Sequence, residues 1–399
     1  MTYDVDRLRA RVPALSEGAS HFDGPGGTQM PEEVAAAVAA TLLAAVSNRG
    51  RDTAAERRAD DIVTGARSAM ADLLGSDPRG IVFGRSMTQI TMDIARTLAQ
   101  DWGPGDDIVV SRLDHDADVR PWVIHAERAG ATVLWADFDS ATGEMAAGNV
   151  LKHVGPRTRL VALTGASNLI GTRPDLAVIA AGVHEHGALF YVDGVHLTAH
   201  APVDVASIGC DFYACSPYKF LGPHLGVLAA APDLLESLHP DKLLPATNVV
   251  PERFELGTLP YELLAGVIAA VDVLADLVPS EGSRRQRILA SMTALEEYED
   301  ELHVHLREGL ESIPGIHLYS NAKQRTPTET FTIDGHSPGD ISTFLAERGV
   351  NAPAGNFYAL EVSRWLGLGD EGGVRVGLAP YSTIDDVDRL IAGLSDLTR

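Results

Sequence analysis

The stretch DFYACSPYKFLGPHLG, residues 211–226, carries a lysine where an apolar, aromatic run meets a Gly-Pro turn. Lysine seldom enters such surroundings unless its amine is used. Lys219 ends the pattern S-x-x-K, which opens at Ser216. That serine stands 23 residues (216 − 193) after the aspartate of DGVH, Asp193 to His196. Ser167 and Asn168 follow the apolar run LVALTGA. Asp114 and His115 follow VVSRL, and Met87 and Thr88 come shortly after IVF. An amine can attack a carbonyl and form a Schiff base. A carboxylate can keep a heteroaromatic nitrogen protonated, and an imidazole can cover the face of a ring. A helix start with hydroxyl and amide donors can bind phosphate.

The elements between these residues must bring them together. GIVFG (80–84), DIVVSRL (107–113), TVLWADFD (132–139), TRLVALTGAS (158–167), ALFYVDGVH (188–196) and DFYACS (211–216) read as strands. MTQITMDIARTLAQ (87–100), VRPWVIHAERAG (119–130) and DLAVIAAGVHEHG (175–187) read as helices. Strands spaced by helices of this length predict βαβ units and a mostly parallel sheet. Ligands of such sheets bind beyond the carboxyl ends of the strands, where each of these groups falls. The inventory fits pyridoxal phosphate, which needs a lysine, an acid at its ring nitrogen, a phosphate cradle and a cover for its ring. After residue 262 the pattern changes. Long helical stretches over 262–278 and 284–313 precede the shorter mixed elements TETFTIDG, DISTFLAERGV and VRVGLAPYSTIDDVDRL, which predict a smaller α+β domain.

Length and composition agree with a two-domain globular protein. Lys and Arg number 32 against 55 Asp and Glu, a formal charge of −23. So acidic a chain argues against nucleic acid or an anionic membrane surface as partner. The apolar stretch LLAGVIAAVDVLADLV is broken by Asp272 and has the period of a buried helix. Two cysteines, Cys210 and Cys215, predict neither a disulfide framework nor a metal site. The charged N-terminus MTYDVDRLRARVP does not read as a signal peptide, and a cytoplasmic protein is expected.

The pattern DGxH followed by SxxK resembles that of the cysteine desulfurases, members of the class V aminotransferase group of fold-type I pyridoxal-phosphate enzymes. HFDGPGGTQMP, LDHDADVRPW, SNLIGT, RFELGT and VRVGLAPYSTIDDVDRL follow in that family's order. The resemblance implies a large cofactor-binding domain, 16–262, on a mixed, mostly parallel seven-stranded sheet. It implies a smaller α+β domain over 263–399 together with 1–15. It assigns Lys219 the Schiff base, Asp193 the pyridine nitrogen and His115 the ring face. Asn168 and His196 would bond the phenolic oxygen. Met87, Thr88, Ser216 and the Tyr218 hydroxyl would hold the phosphate. Thr258 would reach the phosphate of a second subunit, implying a homodimer, and Arg375 would grip the α-carboxylate of an amino acid. Taken singly, Asp193 reads as a turn former, Thr88 as a helix cap, and His115 and His196 as structural histidines. Thr258 reads as the start of the next helix and Arg375 as half of a surface ion pair.

Desulfurases carry a sulfur-accepting cysteine on a loop of the smaller domain. The matching segment here, ERGVNAPAGNFYALEVSRWLG (347–367), has none, and Asn356 or a neighbour takes that place at the substrate side. Tyr218 also stands where desulfurases usually carry histidine. Cys215 is close enough in sequence to approach the cofactor, although burial as an inert side chain is the simpler reading for both cysteines. The expected activity is carbon–sulfur chemistry on an amino acid, by β-elimination. Transamination or epimerisation shares the same early steps. A non-catalytic, cofactor-binding homologue in a sulfur-transfer system is the reading from outside catalysis.

Overall fold

The computed structural model describes residues 3–399. Seven strands build the main sheet: β1 (Ile81–Gly84), β2 (Asp107–Ser111), β3 (Thr132–Ala136), β4 (Thr158–Thr164), β5 (Leu189–Asp193), β6 (Phe212–Cys215) and β7 (Gly226–Ala230). Their order is β1-β7-β6-β5-β4-β2-β3, and only β7 runs antiparallel to its neighbours. Parallel strands covered on both faces need side chains that are apolar on both. LVAL of β4 and FYV of β5 meet that need and are fully buried.

Helices α1 (Glu32–Leu43), α2 (Ala54–Leu74), α3 (Met87–Leu98), α4 (Arg120–Ala129) and α5 (Leu176–His184) flank this sheet. Two longer helices follow, α6 (Tyr261–Ala275) and α7 (Arg284–Glu311). The second lobe holds α8 (Pro338–Ala346), α9 (Ile384–Leu397) and an antiparallel sheet. Its strands are β8 (Ile316–Leu318), β9 (Thr328–Ile333), β10 (Ala354–Gly355) and β11 (Gly373–Gly377), in the order β10-β11-β9-β8.

The apolar cores divide the chain later than the composition implied. The expected break at 262/263 falls at the start of α6. Yet Leu264, Val267, Val271 and Leu274 of α6 join the core of the large sheet. In α7, Ile288, Met292 and Leu295 belong to that core, whereas Leu302, Leu306 and Leu310 belong to the small lobe's core. We therefore place the division within α7. Residues 3–15 touch both sides. Leu8, Val12 and Leu15 join the large core, while the Tyr3 hydroxyl donates to Pro380 O at 2.6 Å. Among the described residues no helix is long and apolar enough to cross a membrane; the apolar run of α6 is interior.

The chain then threads back to the small lobe. Ser20 and His21 pair in parallel with Val350 and Asn351, and Gly377 N donates to Phe22 O. Residues 23–27 are thus held between β11 and the turn after β6.

Candidate active site

The turn after β6 presents Lys219, which is 8% exposed. Thr28 fixes this turn from outside: its Oγ1 donates to Tyr218 O (3.1 Å) and accepts from Leu221 N (2.8 Å). Leu221 holds a left-handed φ of 68°, unusual for a branched side chain. Such strain persists only where surrounding bonds over-determine it. Lys219 Nζ donates to the carbonyl of Pro25. Burial, and then repulsion from Arg375, lowers its pKa to about 7, against the pull of Asp193. The amine is thus substantially neutral at physiological pH, as a nucleophile or base must be.

Asp193 ends β5 beside it. The glycine after it is required: a Cβ at Gly194 would lie 2.0 Å from the Tyr213 ring. Asp193 Oδ1 accepts from Val195 N at 2.9 Å, and burial raises its pKa to about 6. His196, one turn further, places Nε2 between the hydroxyls of Thr326 (2.9 Å) and Thr328 (3.0 Å). Its Nδ1 is buried without a partner, and burial holds the imidazole neutral. If the threonines donate to Nε2, then Nδ1–H is the tautomer left to face the cavity.

His115 caps the short turn after β2. Its Nδ1 accepts from Ala117 N at 3.0 Å, and burial, with Lys219 and Arg375 nearby, drops its pKa to about 3. It is a neutral, flat ring. Ser86 caps α3 through Gln89 N, so Met87 and Thr88 form the first turn. Gly226 on β7 lets that turn approach: a Cβ there would sit 2.2 Å from Ser86 C.

Met87, Thr88, Ser216, Tyr218, Asp193 and Lys219 line one cavity, and His115, Asn168 and His196 complete it. Tyr218 keeps its proton, because burial pushes the hydroxyl's pKa up, so it is a donor. One end of this cavity is therefore a helix N-terminus with hydroxyls, and the other a carboxylate. Between them lies the amine. That polarity fits a phosphate-bearing, nitrogen-containing ring.

A second cavity of about 670 Å³ opens from the first and shares Thr88, His115, Asn168, Tyr218 and Lys219. It is lined further by Arg375, Phe357 and Tyr358. Arg375 projects from β11 and is 2% exposed. Its Nη1 donates to Asn168 O at 3.0 Å, and Nε has no partner. Burial lowers its pKa to about 9, opposed by Asp23. A buried guanidinium bonded to a carbonyl and to no carboxylate among the described residues is set to receive an anion.

Asn356, named from sequence for the substrate side, is not brought here, and Thr258, expected at a second subunit's phosphate, lies apart from both cavities. Asn356 spends its amide on its own loop: Oδ1 accepts from Tyr358 N (3.0 Å) and Nδ2 donates to Asp370 O (2.8 Å). These bonds hold Phe357 and Tyr358 at φ of 52° and 60°. The next two side chains in the chain, not Asn356, reach the cavity. Thr258 is exposed and lines a separate surface cavity with Arg85, His224 and Leu256. Asn168 is in place, but its Nδ2 donates to Phe357 O at 3.0 Å, and Oδ1 is its unpartnered atom.

Sequence reasoning gave no role to Asp114 and Asp118, which lie buried behind His115. Their signal was the alternation LDHDAD, three aspartates where a strand leaves the sheet, of which the first and last are buried. Neither cysteine lines either cavity. Cys215 is fully buried, and Cys210, partly buried, has its thiol pKa pushed up to about 12 by burial.

Residues 20–390 match the profile of the family described as "Aminotransferase class-V". The chain is 33% identical over its full length to the whole of the uncharacterized protein MT3887 of Mycobacterium tuberculosis. It is 30% identical to a cysteine desulfurase of Klebsiella pneumoniae, over 100% of this chain and 99% of that one. The crystal structure of the cysteine desulfurase CsdA from Escherichia coli superposes with a TM-score of 0.87 at 28% identity, covering 100% of both chains.

Proposed function

The chain belongs to the class-V aminotransferase family, and on that premise we propose that it cleaves a carbon–sulfur bond of an amino acid by β-elimination. It is a pyridoxal-phosphate enzyme of cysteine desulfurase-like type. The cofactor supplies an aldehyde for amines and a ring that draws electrons from the amino acid's α-carbon. The chain's own residues do the rest.

Asp193 takes the ring nitrogen with the carboxylate oxygen that Val195 leaves free, and His115 covers one face. His196 Nδ1–H donates to the phenolic oxygen, and the remaining hydrogen of the Asn168 amide supports it. Met87 and Thr88 offer backbone donors to the phosphate, with Ser216 and Tyr218 beside them. Lys219 holds the cofactor and, once displaced, its neutral amine takes the α-proton. Arg375 fixes the substrate carboxylate. Phe357 and Tyr358 cover the opening, so the α-carbon sits away from bulk water.

The observation that carries elimination is the 356–359 loop. It puts two aromatic side chains over the cavity and no thiol. Without a thiol to accept sulfur, the β-substituent leaves with the pair that bound it to the β-carbon, as a thiol or sulfide, or as a selenol where the bond broken is C–Se. Cysteine would then give pyruvate, ammonia and sulfide, where a desulfurase gives alanine. We further propose a homodimer. Leu243, Leu244, Val249 and Leu256 are exposed apolar side chains in the segment that leads to Thr258, and they would be covered by a second subunit. The two unpaired thiols favour a reducing, cytoplasmic setting.

The deciding experiment mixes the purified protein with a panel of amino acids and follows visible absorbance and products. Pyruvate with a released thiol supports elimination. A keto acid retaining the side chain would mean transamination, an inverted α-carbon epimerisation, and alanine with persulfide a desulfurase. Bound cofactor whose spectrum no amino acid changes would mean a non-catalytic homologue.

A further inference from the structure

Behind the carboxylate meant for the ring nitrogen lie two more. Asp114 is 1% exposed and Asp118 0%; Asp193 itself is 4% exposed. Asp114 Oδ2 accepts from the Ser111 hydroxyl, and Asp118 Oδ1 accepts from Trp122 Nε1 at 2.9 Å. Asp114 Oδ1 and Asp118 Oδ2 are buried with no conventional donor. The tight turn between them, closed by Asp118 N donating to His115 O at 2.8 Å, brings the two carboxyls together, and they interact electrostatically. Both also feel the charge of Asp193 at the end of β5. Among the described residues no basic side chain forms an ion pair with Asp114 or Asp118; Trp122 and Tyr191 pack beside them, with the Tyr191 hydroxyl turned to Thr91.

Two carboxylates this close in a dry site cannot both be ionised. A single proton between the two orphaned oxygens satisfies both at once, as in other carboxyl dyads. Burial raises the proton affinity of both, and repulsion from Asp193 adds to it; the Asp114 carboxylate raises that of Asp118 further, whereas Asp118 favours the ionised form of Asp114, so the two share one proton unequally. The pair then carries one negative charge, which no ion pair among the described residues offsets.

We propose that Asp114 and Asp118 form a proton-sharing carboxyl pair whose single negative charge backs Asp193 and strengthens its hold on a protonated cofactor ring nitrogen. Both are positioning residues: they act through Asp193. The inference rests on the reading that the bound group is pyridoxal phosphate.

Asparagine at either position replaces the shared proton by an amide N–H and leaves one carboxylate. Asparagine at both keeps the shape and removes the charge. Asp114→Asn and Asp118→Asn should each keep the ring nitrogen protonated, seen as the ¹⁵N shift of ring-labelled cofactor in the holoprotein. The double variant should lose that signature. Its preference for pyridoxal phosphate over the 1-deaza analogue, which has no ring nitrogen, should fall about tenfold, the equivalent of one pKa unit. Retained binding of the analogue shows that the pocket is folded. Infrared difference spectra of the protein as purified supply the second arm. A protonated-carboxyl band in the wild type should vanish in each single variant, and this arm decides if the double variant does not fold. The pair is refuted if that band survives in both singles, if either single loses ring protonation as the double does, or if a folded double keeps the wild-type shift. Failure of the wild type to take up cofactor, with the infrared band as expected, would overturn the cofactor reading alone.

Discussion

The guanidinium carbon of Arg375 lies 3.7 Å from the centre of the Phe357 ring. The ring covers this cation, so a carboxylate held by Arg375, as proposed, would meet it in a partly dry site, where the bond is stronger than in water. Phe357 is held there by its own carbonyl, which accepts from the Asn168 amide. The loop, the carboxylate grip and the cofactor pocket are therefore one connected piece.

Arg375→Ala should weaken amino-acid binding by about a hundredfold or more, the cost of a paired, charge-assisted contact. The cofactor should stay bound. Phe357→Ala should weaken the same binding by only about three- to tenfold, the scale of one cation–π contact. Titration of the visible band with substrate measures both. Equal losses from the two substitutions would show that Arg375 does not hold the carboxylate.

Lys219→Ala should leave a folded protein that loses its visible colour on gel filtration, whereas the wild type stays yellow. Retention of the wild-type band in the variant would mean that another amine carries the cofactor.

The Lys219 amine also sets a pH dependence in the cofactor-free protein. Its pKa is about 7 folded against an ordinary 10.5. Between those values the unfolded chain binds more protons, so stability rises with pH across that window. Lys219→Met removes this contribution. Cofactor-free Lys219→Met should be more stable than the cofactor-free wild type, most clearly near and below pH 7, with the gap closing as pH approaches 10.5. Thermal unfolding at a series of pH values checks the slope; a gap that widens with pH contradicts it.

The double substitution Cys210→Ala, Cys215→Ala should leave turnover of the true substrate within about twofold, although loss of the buried Cys215 sulfur should cost on the order of 1 kcal/mol of stability. Cysteine, if accepted at all, should yield pyruvate in both proteins. Rapid alanine formation that disappears with Cys215→Ala alone would identify a nucleophile that the loop does not contain.

The protein should sediment as a dimer at micromolar concentration. Leu244→Asp, at a side chain 97% exposed in the single chain, should dissociate it and weaken cofactor retention. A wild-type monomer that holds its cofactor fully would remove the role assigned to Thr258.

The groups that line the cavity were legible in sequence where a polar residue follows a strand. Asp193, Lys219, His115 and Asn168 sit at strand ends, and the parallel sheet carries all of them to one edge. Arg375, in the middle of a strand of the smaller sheet, was singled out only through the family resemblance. Asn356 was not. In a loop with two consecutive left-handed residues, the side chain's direction depends on local bonds that no periodicity records. The division of the lobes was hidden for another reason. The apolar pattern of α6 announces a buried helix but does not say in which core, and α7 supplies side chains to two. The Asp114–Asp118 pair lay in plain letters, yet only depth distinguishes a buried carboxyl pair from a solvated acidic turn.

The continuity of α7 has a mechanical consequence. One uninterrupted helix carries a lobe at each half, so the lobes are mounted on a common beam and not joined by a slack linker. Half of its 28 residues spans about 21 Å. A tilt of about 5° at its middle would carry the far end by only about 2 Å over that length. A bend of that helix would therefore shift Arg375 against Lys219 only in small steps, as a vernier does.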